Sequence, residues 1–258
     1  MQVLTDEQLK GYYFDGIGGF PALGSITRAG YDNFAQQVKD YKGQERLCIC
    51  CTQLEFFYDS EFNRIPCTEK EKKLALKEWL EFLTTNTKAF KALHFNSYVP
   101  QRLFDAACRQ ENLEELRTKW GNHKDLSALE NLTELKYLYF GSCPGVTDLT
   151  PLTKLKNLVV LHLGNFKRIE DYSPLIALEK LEQLVISGPI LGTTPIKDFE
   201  FLREMPNLLS FRSVQPALRK KYTDDELLVD LVKATPNLRY APWLDYLREL
   251  HNSKSDII

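Results

Sequence analysis

Apolar residues in the middle of the chain keep a beat longer than that of any single helix or strand. In "LVVLHLGN", from Leu158 to Asn165, side chains alternate, so Leu161 and Leu163 point one way and His162 the other, which predicts a strand with one buried face. Leu135, Leu138, Phe140, Val146, Asp148, Pro151, Leu152 and Leu155 map, by adding 23, onto Leu158, Leu161, Leu163, Ile169, Asp171, Pro174, Leu175 and Leu178. Matches at one offset that include two prolines and two aspartates mark an internal repeat. The frame extends backward, where Phe90, Leu93 and Phe95 step by 23 to Leu113, Leu116 and Thr118. There "DLSALENL", from Asp125, echoes "DLTPLTKL" with Ala128 in the proline position. Forward, Leu181, Leu184 and Ile186 repeat the strand; after four extra residues "DFEFLREMPNL" supplies the return, and "LLSFRSV" from Leu208 supplies a sixth strand.

Each unit has a physical logic. Asp148 is placed to accept a backbone N–H, and Pro151 falls in the following turn, where its missing N–H costs nothing. Leu152, Leu155 and Leu158 then fill the space behind the strand, and no unit can bury that wedge without neighbours on both sides. A period of 23 residues leaves no room for a long helix, so short helical or 3-10 turns are expected opposite the strands.

The pattern Leu-x-x-Leu-x-Leu followed by Asp-Leu-x-Pro-Leu resembles the leucine-rich repeat family, most closely its short bacterial internalin-like and phosphatase-regulator-like class. The resemblance covers roughly residues 88 to 215. It implies an α/β leucine-rich repeat solenoid, with a curved parallel sheet on the concave side and short turns on the convex side. This chain departs from the family at the position that holds Asn or Cys, which is Cys143 in one repeat but Phe166 and Pro189 in the next two.

The flanks read differently. "TEKEKKLALKEWLEFLTTNT", from Thr68 to Thr87, carries Leu74, Leu76, Trp79, Leu80 and Leu83 at near-helical spacing, and "DDELLVDLVKATPNLRY", from Asp224 to Tyr240, reads as a helix leading into a last strand. "LCICCTQLEFFY", from Leu47, is expected to be an early strand beside or continuing the sheet. Tyr31, Phe34, Val38 and Tyr41 ahead of it form a helical stripe. A solenoid exposes strand edges at both ends, so helical caps are expected there. The organisation is then a helical or mixed N-terminal capping region over 1–88, repeats over 89–216, and a helical C-terminal cap over 217–258.

Composition narrows the function. A net charge of -2 argues against a nucleic-acid surface, and no stretch has the apolar length of a membrane span. The beginning, "MQVLTDEQLKGYYFDG", does not read as a signal peptide, and the expected location is cytoplasmic. Six cysteines, at 48, 50, 51, 67, 108 and 143, lack zinc spacing and read as reduced thiols, with Cys48, Cys50 and Cys51 in an apolar run.

Catalytic motifs are not found. "DGIGGFPALG", from Asp15, lacks the Gly-Lys-Ser/Thr ending of a phosphate loop and reads as a turn, while His94, His123, His162 and His251 are dispersed. No cofactor or metal site is expected. The outward strand positions form a column of His94, Arg117, Tyr139, His162, Val185 and Arg212, with Ala92, Glu115, Tyr137, Val160, Gln183 and Ser210 beside it. Asn96, Lys119 and Trp120 form a flank. Arg, Tyr and Trp carry binding energy at protein interfaces. The expected partner-binding residues are therefore His94, Arg117, Lys119, Trp120, Tyr137, Tyr139, His162 and Arg212. The expected function is non-enzymatic: the concave face binds another protein, in a sharper form as an immunity or inhibitor protein acting on a toxin. The alternative is an enzyme with its site in the first 88 residues and the repeats selecting substrate.

Overall fold

A computed structural model describes residues 2–11, 13–14, 33–61, 63–189, 192–214, 216–218 and 225–241. Tyr31 and the glycine-rich Asp15–Gly24 lie outside the described residues. In chain order the elements are α1 (Asp6–Lys10), β1 (Phe34–Ala35), β2 (Arg46–Ile49), β3 (Phe56–Tyr58), β4 (Arg64–Pro66), α2 (Glu69–Thr85), β5 (Ala92–Val99), α3 (Gln101–Ala107) and β6 (Glu115–Gly121). They continue with β7 (Tyr137–Phe140), β8 (Val160–Gly164), β9 (Gln183–Ser187), β10 (Thr194–Ile196), β11 (Ser210–Val214), β12 (Pro216–Leu218) and α4 (Asp225–Ala234).

Eight of these strands form one parallel sheet in the order β1-β2-β5-β6-β7-β8-β9-β11. The repeat sets the register directly: Leu116 pairs with Leu138, Leu138 with Leu161, Leu161 with Leu184, and Leu184 with Phe211. Equivalent residues of successive repeats therefore stack in rows, and all five of these side chains are fully buried.

Opposite the strands run 3-10 turns at Ser127–Asn131, Thr150–Lys154, Ser173–Ala177 and Glu200–Glu204. Each is entered through an aspartate whose Oδ1 accepts a backbone N–H two residues on. Asp125 takes Ser127 N–H at 2.8 Å, Asp148 takes Thr150 at 2.8 Å, Asp171 takes Ser173 at 3.0 Å and Asp198 takes Glu200 at 3.0 Å. Hydrogen bonds from Thr150 hold the Asp148 carboxyl below its usual range. Replacing Asp148 by Ala is expected to cost about 1 kcal/mol, the loss of one cap, read as a lowered urea midpoint with an unchanged slope.

A second ladder on this side is not evident from the pattern of leucines. The Nδ2 groups of Asn157, Asn207 and Asn237, one residue before a buried leucine, donate back to the carbonyls of Thr133, Glu179 and Pro206 at 2.9, 2.8 and 2.8 Å. Each amide ties a repeat to the one before it. Where the family pattern has Asn or Cys, Cys143 and Phe166 are buried. Phe166 packs 5.6 Å from Phe140, which continues through His123 and Phe104 as one aromatic stack.

The first part of the chain joins the same core. β2 pairs with β5, as expected for the start of "LCICCTQLEFFY", but the end of that stretch leaves the sheet, Phe56–Tyr58 pairing antiparallel with β4 in a separate hairpin; nor is the stripe ahead of it helical, since Phe34 lies in β1 and Val38 begins a 3-10 turn, Val38–Asp40. β1 lies against β2, which leaves Phe34 in a sheet row facing Cys48 rather than on a helix face. α2 is N-capped by Thr68, whose Oγ1 accepts Glu71 N–H while Glu71 accepts in return. It buries Trp79 and Leu83 in the core that holds Leu138, and Trp79 Nε1 donates to the Gln36 carbonyl at 3.1 Å.

At the other end Leu231 of α4 and Leu238 join that core, and Tyr240 adds a single parallel bridge to Ser210. The extra residues before β10 let it pair with β12 in a small side sheet. All six cysteines are free, and burial pushes the Cys48 thiol up to about 12. No described helix is long and apolar enough to cross a membrane.

Candidate recognition face

The register assembles the outward column the alternation predicts. Cys48, His94, Arg117, Tyr139, His162, Val185 and Arg212 share one row, and Arg46, Ala92, Glu115, Tyr137, Val160, Gln183 and Ser210 share the next. Beyond a register shift between Phe95 and Tyr98, Tyr98 pairs with Trp120, their rings 5.3 Å apart edge to face. Trp120 is 41% exposed, and Lys119 beside it is half-buried.

The face is not open. Residues 3–11 and 13–14 lie across it, with Phe14 against Arg117, and both His94 and Arg117, expected on the outside, are buried, at 4% and 6% exposure. The local sequence explains the segment's shape: Thr5 caps α1 in a reciprocal box with Gln8, and Gly11 closes it with an N–H to the Glu7 carbonyl. Leu4, Leu9, Tyr13 and Phe14 then turn onto Val159, Val160 and Leu209, flanked by Tyr137, Tyr139 and Tyr240.

Polar side chains of the sheet meet the segment's main chain. The Glu182 carboxylate accepts Val3 N–H at 2.6 Å and Leu4 N–H at 2.8 Å. Gln183 accepts Tyr13 N–H at 2.9 Å through Oε1 and donates through Nε2 to the carbonyls of Gln8 and Gly11 at 3.0 and 3.2 Å. Ser210 Oγ donates to the Leu9 carbonyl at 2.9 Å, and an Arg117 amine donates to the Phe14 carbonyl at 3.1 Å. The Tyr13 ring stacks on Tyr137 at 4.3 Å, and the Arg117 guanidinium lies 4.7 Å from the Tyr139 ring and 5.5 Å from Phe14.

Charges beneath the segment are paired. Glu115 accepts from His94 Nε2 at 2.5 Å and from Arg46 at 3.1 Å. Desolvation pulls the Glu115 carboxyl upward, but these donors outweigh it and leave it below its usual range. Desolvation in turn pushes the His94 imidazole down, consistent with a neutral ring donating to an ionised carboxylate. His162 touches Ser187 Oγ at 3.0 Å and the Tyr139 ring at 4.4 Å; burial first, then the Arg117 charge, bring it down to about 3.

Of the eight expected contact residues, His94 and Arg117 thus work underneath, Tyr137, Tyr139, His162 and Arg212 are half-buried along the face, and Lys119 and Trp120 stand at its edge. The leucine pattern gave no reason to single out Glu182 or the segment itself. The signal available was local: the Thr5/Gln8 capping pair ahead of Leu9, then adjacent Tyr13 and Phe14, marks an element made to dock.

A separate groove of about 1000 Å³ runs between the β3–β4 hairpin and α2, walled by Phe57, Tyr58, Ile65 and Leu74, within the region of the enzymatic alternative. Three of its five acids hold backbone or caps. Asp40 accepts the N–H groups of Gln36 and Gln37, Asp59 those of Glu61 and Asn63, and Glu71 serves the Thr68 box. No histidine or cysteine lines it, and the described residues contain no cluster of potential metal ligands.

No family model and no curated protein matches the sequence. Among solved structures the chain is similar to an internalin from Listeria monocytogenes, at 19% identity over 70% of each chain and a TM-score of 0.37. With a repeat of Leu-x-x-Leu-x-Leu strands, aspartate-entered 3-10 turns and one parallel sheet whose rows follow the period, the chain is a leucine-rich repeat solenoid.

Proposed function

We propose that the protein is a non-enzymatic binding module whose concave side grips a specific protein partner. The observation that carries this reading is that side chains of the concave strands and their approaches already hold a length of polypeptide by its main chain, Glu182 taking two consecutive N–H groups and Gln183 one N–H and two carbonyls. Tyr137, Tyr139, His162 and Arg212 supply aromatic and hydrogen-bonding surface along the face, and Trp120 with Lys119 supplies an anchor at its edge. Six free thiols suit a reducing compartment, and we place the protein in the cytoplasm. In its sharper form the module is an immunity or inhibitor protein that covers the working surface of a toxin.

Affinity capture with the wild type and with Trp120→Ala/Lys119→Ala, both checked for an unchanged circular dichroism spectrum, tests the general reading. A partner retained by the wild type should fall at least tenfold in the variant. Identical partner sets in identical amounts would remove the concave edge from recognition. Coexpression with a captured toxin should restore growth, and unchanged killing would discard the inhibitor form.

A further inference from the structure

The segment over the concave face is packed apart from the main core. Its apolar side chains form a cluster of their own with Val159, Val160 and Leu209, separate from the main core of the solenoid. A face sealed permanently needs only apolar side chains, since every buried polar group must otherwise find a partner. This face instead presents Arg117, Gln183 and Ser210, with Glu182 at its approach, each bonded to main-chain atoms of residues 3–14. Main-chain atoms are common to all polypeptides, so these groups serve one segment as well as another, and water serves them when the face is empty.

We propose that residues Val3–Phe14 are an occupant bound in cis, and that the partner presents a segment of the same chemistry, a capped helical turn followed by two adjacent aromatic residues, which enters by displacing them. This rests on the protein-binding reading above. The partner's two aromatics take the places of Tyr13 on Tyr137 and of Phe14 against Tyr139 and Arg117, and its turn sets N–H groups toward Glu182 and Gln183. Because the cis segment is tethered, its effective concentration is of the order of millimolar, and weak competitors are excluded while a well-matched one is admitted.

A fluorescent peptide of residues 2–14 is the probe, titrated into the full-length wild type and into a full-length release variant, Tyr13→Ala/Phe14→Ala. The release variant is expected to bind at least 30-fold more tightly than the wild type, and adding Glu182→Ala and Gln183→Ala should abolish that gain. Equal affinities, or no binding by a folded release variant, would overturn the proposal. Hydrogen exchange of the wild type covers the case in which the release variant fails to fold. The Leu4 and Tyr13 amides should exchange at least 100-fold faster than those of β8, and equal rates would mean that the segment leaves only when the whole chain unfolds. A failed peptide test beside a successful edge-variant capture would remove the cis occupant and leave the binding module standing.

Discussion

Gly164→Ala is expected to destabilise the protein by about 3 kcal/mol or more, at the severe end of overpacking. A Cβ on Gly164 would press on the carbonyl oxygens of Gly141 and Phe140, and one on Gly141 would press on the Lys119 carbonyl oxygen, closer than nonbonded atoms can sit. Rigid backbone in the preceding repeat, rather than a yielding side chain, blocks the methyl. Neither glycine has a positive φ, so the requirement is for space and not for an unusual conformation. Gly43→Ala is the contrasting case: φ is +89° there, but a Cβ meets nothing within 4 Å, and only conformational strain of about 1–2 kcal/mol is expected. Urea unfolding of both variants checks the ordering; a Gly164→Ala midpoint equal to that of Gly43→Ala would show that adjacent repeats can part without cost.

The second large effect is loss of stability in mild acid. His123, fully buried between Phe104 and Phe140, is pushed by desolvation down to about 4, and His162 is brought to about 3. Both folded values lie below the unfolded value of about 6.5, so the unfolded chain takes up protons first. Their contribution is complete above pH 6.5, is lost as pH falls through that value, and stops changing below the folded values. Linkage gives about 2 kcal/mol for each histidine between pH 7 and pH 5, about 4 kcal/mol together. Urea titrations at the two pH values should show this drop, and His162→Gln should remove about half of it. A flat profile between pH 7 and pH 5 would mean that these rings protonate within the fold.

The scaffold was readable because a period of 23 residues leaves the same physical mark on every repeat. Leucines must fill rows, an aspartate must enter each turn, and the outward column follows from alternation once the strands are aligned. The stripe of Phe34 and Val38 misled because helical spacing in so short a stretch does not exclude a two-residue strand followed by a 3-10 turn. What alternation cannot convey is whether a face is covered. His94 and Arg117 lie where the pattern puts them, yet what rests on them is set by residues far away in sequence: Phe14 is 103 positions from Arg117, and Val3 is 179 from Glu182. A contact between elements of different period leaves no periodic trace, and its only local sign is the docking grammar of the segment itself.

Sequence distance also gives the segment over the strand face a place in time. Residues 3–14 are synthesised long before the strands that hold them, and one of their contacts, Asp6 with Arg239 at 3.4 Å, spans 233 residues. While the ribosome adds repeat after repeat, the surface that Leu4, Leu9, Tyr13 and Phe14 cover is incomplete: Tyr137, Val159 and Val160 emerge first, and Leu209 and Tyr240 only near the end. Only a chain translated through β9 and β11 offers Glu182, Gln183 and Ser210, so docking of the segment reports that translation has passed the final strand of the sheet.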